Sequence, residues 1–166
     1  MASSDSSPED AWIRLIERTT PITSEEAAAV FSALRPATSD HLTRGGGEWE
    51  GSMLDHSHPT SAIMKKMNWA GKIFHSTEHV QPVMVYDAQG RKIANKDTGY
   101  ARLRDMKNGN DVTVAMIYDK IPVIDYFRIV SDDMVAGVMD SKEDKSGRPF
   151  YFYLKRIGGA TQSPRL

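Results

Sequence analysis

Cysteine is absent from this 166-residue chain. That excludes disulfides, thiolate nucleophiles and cysteine-ligated metal centres. No apolar run approaches the roughly 20 residues that a membrane-spanning helix needs. The opening "MASSDSSPED" carries neither a basic start nor an apolar stretch of the secretory kind. An excess of one charge is missing too: 21 basic and 22 acidic side chains leave a formal net charge of -1. Such a balance gives no electrostatic footprint for nucleic acid or for an anionic membrane surface. No internal repeat of about 20–50 residues recurs. These absences set the expectation of a cytoplasmic protein with no nucleic-acid partner and no stable membrane insertion.

What is present is ordinary for a globular chain: 40% hydrophobic and 26% charged residues. The length suits one domain with one core. We expect a disordered segment over 1–7, a single domain over 8–156 and a flexible tail over 157–166. Ser7-Pro8-Glu9-Asp10 reads as a helix start, with Trp12, Ile13, Leu15 and Ile16 following at helical spacing. A second start stands at Thr23-Ser24-Glu25-Glu26, and its helix ends before Arg35-Pro36. "TSAIMKKMN" is a shorter third, with Ile63, Met64 and Met67 on one face. The lysine stems beside those methionines suit a lid over an apolar opening. From residue 81 the period changes. "QPVMVYD", "RKIAN", "GYARLRDMK", "DVTVAMIYD", "IPVIDYFRIV", "DMVAGVMD" and "PFYFYLKR" are short runs rich in Val, Ile, Tyr and Phe, separated by polar breaks such as Asn108-Gly109. Roughly seven or eight strands joined in this way close into an antiparallel barrel around a small cavity. Several runs are apolar on both faces, so the helices pack on part of the outside or plug one mouth.

Gly47-Glu48-Trp49-Glu50-Gly51 matches the motif that gives the GXWXG protein family its name. "NWAGKIFHS" (68–76) resembles that family's next element. Residues 101–142 resemble the companion domain of unknown function that follows it, with Tyr118-Asp119, Ile124 to Arg128 and Met139-Asp140 as the matching elements. The resemblance covers about residues 30–156, as a GXWXG part over about 30–87 and a companion part over about 98–156, and its joint spacing makes it specific. It implies a mainly β fold: an antiparallel, lipocalin-like barrel with N-terminal helices. Trp49 would then plug the base of the barrel, with Gly47 and Gly51 letting neighbouring backbone pass close by. Nitrobindins, which share this kind of barrel, bind haem through a late histidine. This chain has no histidine after His79, so no cofactor is expected.

His56 and His58, with Asp55 adjacent, could project together as two ligands, where zinc wants three or four. A solvated loop is the preferred reading, with no metal. Asp119, Asp125 and Asp140 lie within or beside apolar strands, so each needs a partner. Arg128 is the obvious one. Asp125 and Arg128 stand three apart on one strand, which points them to opposite faces, so Arg128 is expected to face the cavity. Asp125, Asp140 and Tyr118 are the candidates for acid/base work, and Arg128, Lys72, Tyr126 and Trp69 for holding a ligand. The sequence supports two functions from different classes. One is a cofactor-independent isomerase or cyclase acting on a hydrophobic small molecule; the other is an intracellular carrier that leaves the molecule unchanged.

Overall fold

The computed structural model describes residues 5–158. The expectations for residues 1–4 and 159–166 lie outside the described residues.

Two helices open the chain. α1 (Pro8–Glu17) starts where Ser7 accepts the Asp10 N–H at 3.1 Å, with proline in the first turn. α2 (Ser24–Ala33) starts with a full capping box between Thr23 and Glu26. Arg18 grips the Glu26 carboxylate at 2.7 and 2.9 Å, and with the Thr23 bonds this holds Glu26 down to about 2. A two-residue strand β1 (Arg35–Pro36), the short helix α3 (Ser39–Thr43) and a 3-10 turn (Arg44–Gly46) lead into β2 (Glu48–Met53). After α4 (Pro59–Lys66) the chain is almost wholly β. The strands are β3 (Trp69–Phe74), β4 (Val80–Tyr86), β5 (Lys92–Ala94), β6 (Ala101–Asn108), β7 (Asp111–Tyr118), β8 (Val123–Ser131), β9 (Met134–Ser141) and β10 (Phe150–Arg156).

The strands pair antiparallel in the order β8-β7-β6-β4-β3-β2-β10-β9, and β9 returns to pair with β8, so the sheet closes into a barrel. β5 adds an outer rung to β4. β1 pairs with β8 where β8 has parted from β7. Thr113 bridges that gap, receiving the Ala37 N–H at 2.9 Å and donating to the Phe127 carbonyl at 2.5 Å.

Periodicity captured β4 through β10 within a residue or two. It did not capture β2 and β3, which join the two halves of the barrel. The first carries Glu48, Glu50 and Gly51, and the second carries Gly71 and Lys72. Residues of these kinds are poor in strands, so neither run reads as one.

Two apolar layers result. One fills the barrel with Trp49, Phe74, Phe127, Phe152, Leu103 and Met116 among others. The second lies between the outer face of β8-β9-β10 and the helices, where Trp12, Phe31 and Tyr151 form an edge-on aromatic cluster with centroids 5.7 to 6.4 Å apart. The double-sided apolar strands therefore face the barrel interior on one side and α1 and α2 on the other. Among the described residues, no helix is long and apolar enough to cross a membrane.

Candidate functional site

The GXWXG segment sets one end of the barrel. Trp49 is 1% exposed, donates its indole N–H to the Leu42 carbonyl of α3 at 2.9 Å, and lies 4.2 Å beneath the Arg156 guanidinium. Gly47 has φ +68, and a Cβ there would stand 1.9 Å from the Phe74 carbonyl oxygen. A Cβ on Gly51 would stand 2.4 Å from the Trp69 ring. The two glycines thus let β3 cross tightly and let the Trp69 ring pack directly against β2.

Trp69 is a wall of the barrel's cavity. This space has a volume of about 110 Å³. Met64 and Met67, from α4 and its end, line it together with the apolar side chains of Val83, Ile121, Val123 and Phe150. Lys72 from β3, Tyr118 from β7 and Asp125 from β8 are its ionisable wall residues, and Thr98, whose hydroxyl donates to the Asn95 carbonyl at 3.2 Å, adds a fourth polar side chain. Lys72 Nζ stands 3.0 Å from Asp125 Oδ2 and donates to the Pro82 carbonyl at 2.9 Å. Tyr118 Oη stands 3.4 Å from both Lys72 Nζ and Asp125 Oδ2. These contacts exceed the usual O–H···O length of about 2.8 Å, so the phenol proton is loosely held. The rings of Trp69, Tyr118 and Phe152 surround the ammonium at 5.2 to 5.7 Å, adding cation–π attraction to the ion pair.

Asp125 is 2% exposed, and its Oδ1 is buried without a hydrogen-bond partner. Loss of hydration raises its pKa above the ordinary value, and the opposing pull of Lys72 recovers only part of that. The same desolvation, with the neighbouring Asp125 charge, pushes the Tyr118 hydroxyl well above its ordinary value.

Of the candidates, Asp125, Tyr118, Lys72 and Trp69 meet in this cavity. Arg128, Tyr126 and Asp140 do not. Asp125 and Arg128 do point to opposite faces, but it is Asp125 that turns inward, correcting the expectation for Arg128. The Arg128 guanidinium lies between barrel and helices, 5.5 Å from the Phe31 ring. It donates to Leu34 O at 2.9 Å, Asn108 O at 3.0 Å and Asp111 Oδ2 at 2.7 Å, so its carboxylate partner is Asp111. It ties α2 to the β6–β7 turn. Arg128→Met should cost about 1–3 kcal/mol by stranding buried carbonyls, read as a lower denaturation midpoint with cavity binding intact once folded. Loss of binding in a folded variant would contradict this placement.

Asp140 is exposed, and Tyr126 lies beside it on the outer wall, where burial and the Asp140 charge raise the tyrosine's pKa. Both line an open outer groove of about 550 Å³, flanked by Lys107, Arg148 and Asp144. This groove is larger than the barrel cavity but, among the described residues, contains no buried unpaired polar side chain. The barrel cavity contains two.

Asp119 pairs with Arg102 at 2.9 Å on the surface. His58 corrects the reading of a solvated loop. Its ring is 2% exposed, Nδ1 caps α4 by accepting the Thr60 N–H at 3.1 Å, and Nε2 lies 2.8 Å from the Arg148 carbonyl. Both nitrogens are engaged in holding α4 to the β9–β10 loop. No group of three or more His, Asp or Glu side chains converges as a metal set among the described residues.

Family comparison agrees with this architecture. The GXWXG protein model matches residues 29–90, and a domain of unknown function, DUF4334, matches residues 99–156. A crystal structure of a protein from Thermomonospora curvata is 33% identical, over 90% of this chain and 98% of its own, with a TM-score of 0.82. The chain belongs to the GXWXG family. No curated protein matches it. In this GXWXG protein the two matched segments share one barrel: β2, β3 and β4 come from the first, and β6 through β10 from the second. The cavity residues are divided in the same way, with Trp69 and Lys72 from the first segment and Tyr118 and Asp125 from the second.

Proposed function

We propose that this GXWXG protein binds a small, largely apolar molecule in the barrel cavity and moves a proton on it without a cofactor, as an isomerase or cyclase. Asp125 is the acid/base, Tyr118 the hydrogen-bond donor, and Lys72 the cation that fixes the carboxylate. The observation that carries this reading is Asp125 itself, a residue of the cavity wall with one oxygen anchored by Lys72 and the other buried without a hydrogen-bond partner. An apolar cage makes such a carboxylate a stronger base than one in water, and a base of raised pKa suits proton transfer near neutral pH. The remainder of the wall is apolar enough to favour a second reading, carriage without change.

Denaturing the protein isolated from its own cells and identifying the released molecule by mass spectrometry distinguishes them. The enzyme reading expects that fresh wild-type protein converts the released molecule, or its isomer, and that folded Asp125→Asn does not. A molecule that wild-type protein retains and leaves unaltered supports carriage and contradicts catalysis.

A further inference from the structure

The cavity restricts its occupant in size, charge and hydrogen bonding. At about 110 Å³ it is smaller than the engineered cavity of about 150 Å³ that takes up benzene. Its guest is therefore one compact ring, free or at the tip of a longer molecule. The guest is also uncharged. Lys72 and Asp125 already neutralise each other at 3.0 Å. All three ammonium protons have acceptors, in Pro82 O, Asp125 Oδ2 and Tyr118 Oη. Lys72 thus has no donor left for a fatty-acid carboxylate, and as an ammonium it has no lone pair with which to attack a carbonyl.

Two polar atoms on the wall residues lack any protein partner: Asp125 Oδ1, an acceptor, and Trp69 Nε1, a donor. Buried and bare, each carries a desolvation cost that the right ligand removes. A ligand that satisfies both brings an oxygen to the indole and a proton to the carboxylate. Resting on the acid/base reading of Asp125 above, we propose that the substrate class is a neutral cyclic ketone or enone. Its carbonyl oxygen accepts the Trp69 indole N–H, and its adjacent C–H faces Asp125 Oδ1.

The step balances within this set. Asp125 Oδ1 takes the proton, the C–H electron pair becomes the new C=C bond, and the carbonyl π pair moves to oxygen. The enolate is held by the Trp69 N–H, with the loosely bound Tyr118 O–H as a second donor. Return of the same proton at the γ-carbon of a β,γ-unsaturated ketone gives the conjugated isomer, and return at the α-carbon gives exchange. A hydroxyl compound fills both contacts but has no acidic C–H, so it binds as an inhibitor.

The test is α-proton exchange of cyclopentanone in D₂O with wild-type protein, followed by proton NMR. Methylenecyclopentane, the same shape without the oxygen, serves as competitor. Binding of each is read separately by saturation transfer. The expected result is exchange about 100-fold or more above that with an equal concentration of free carboxylate, suppressed when methylenecyclopentane is added. Asp125→Asn should abolish exchange and keep binding. Because that variant leaves Lys72 unpaired and its fold is at risk, the competition on wild-type protein decides the assignment. Both compounds binding without exchange overturns the ketone class and leaves the cavity-binding reading in place. Neither binding overturns both. Exchange that bound methylenecyclopentane leaves untouched comes from another site and overturns the proposal.

Discussion

Lys72→Met should lose about 3–5 kcal/mol of stability at neutral pH, because it leaves the Asp125 carboxylate buried and unpaired. Lys72 and Asp125 are 3% and 2% exposed at their side chains and 3.0 Å apart, so solvent cannot take over for the missing partner. Asp125 already has a raised pKa in the folded protein, and removing the ammonium raises it further. The sign follows from that. In the window between the unfolded carboxyl value of about 3.9 and the raised folded value, the folded state binds more protons. Stability therefore falls as pH rises through the window, and the full cost of the charge is present above it. Acid should accordingly rescue Lys72→Met. The double variant Lys72→Met/Asp125→Leu should return to wild-type stability or exceed it by about 1–4 kcal/mol, since an apolar pair avoids both desolvation costs. Chemical denaturation of the three proteins across pH checks this. A single variant that costs less than about 1 kcal/mol, or a double variant no better than Lys72→Met, would show that the pair is not buried as described. If the double variant is the more stable protein, the pair contributes nothing to stability that an apolar pair would not, which supports a role in chemistry.

Trp49→Ala should cost about 3–5 kcal/mol. The indole is 1% exposed, and its N–H is spent on the Leu42 carbonyl. Truncation leaves a void that β2 and α3 can only partly close, strands that carbonyl and removes the surface on which Arg156 stacks. For a chain of this length the melting temperature should fall by on the order of 10 °C. A midpoint within about 2 °C of wild type would remove Trp49 from its place as the plug of the barrel.

The second half of the barrel was legible because β4 through β10 are short runs rich in Val, Ile, Tyr and Phe, separated by polar turns. The helix starts were equally plain: Ser7 and Thr23 cap as read. β2 and β3 escaped because their inward positions include Gly51 and Lys72, whose roles depend on neighbours across the sheet. β8 shows why the site was only half legible. Val123, Asp125 and Phe127 face the barrel interior, while Tyr126, Arg128 and Val130 face the helix layer. Each face is apolar with one charge in it, so alternation separates the two sets without saying which is inside. The partner identities were out of reach for the same reason. Asp125 meets Lys72 across the barrel, and Arg128 meets Asp111 from the β6–β7 hairpin.

Carbon-13 NMR titration of aspartate carboxyls tests most directly whether a half-anchored carboxylate in the cavity is the centre of function. One resonance, assigned by its absence in Asp125→Asn, should titrate above the ordinary carboxylate range and shift when cyclopentanone or methylenecyclopentane fills the barrel. An Asp125 that titrates at or below that range, or stays unmoved by either compound once it is bound, would contradict the account.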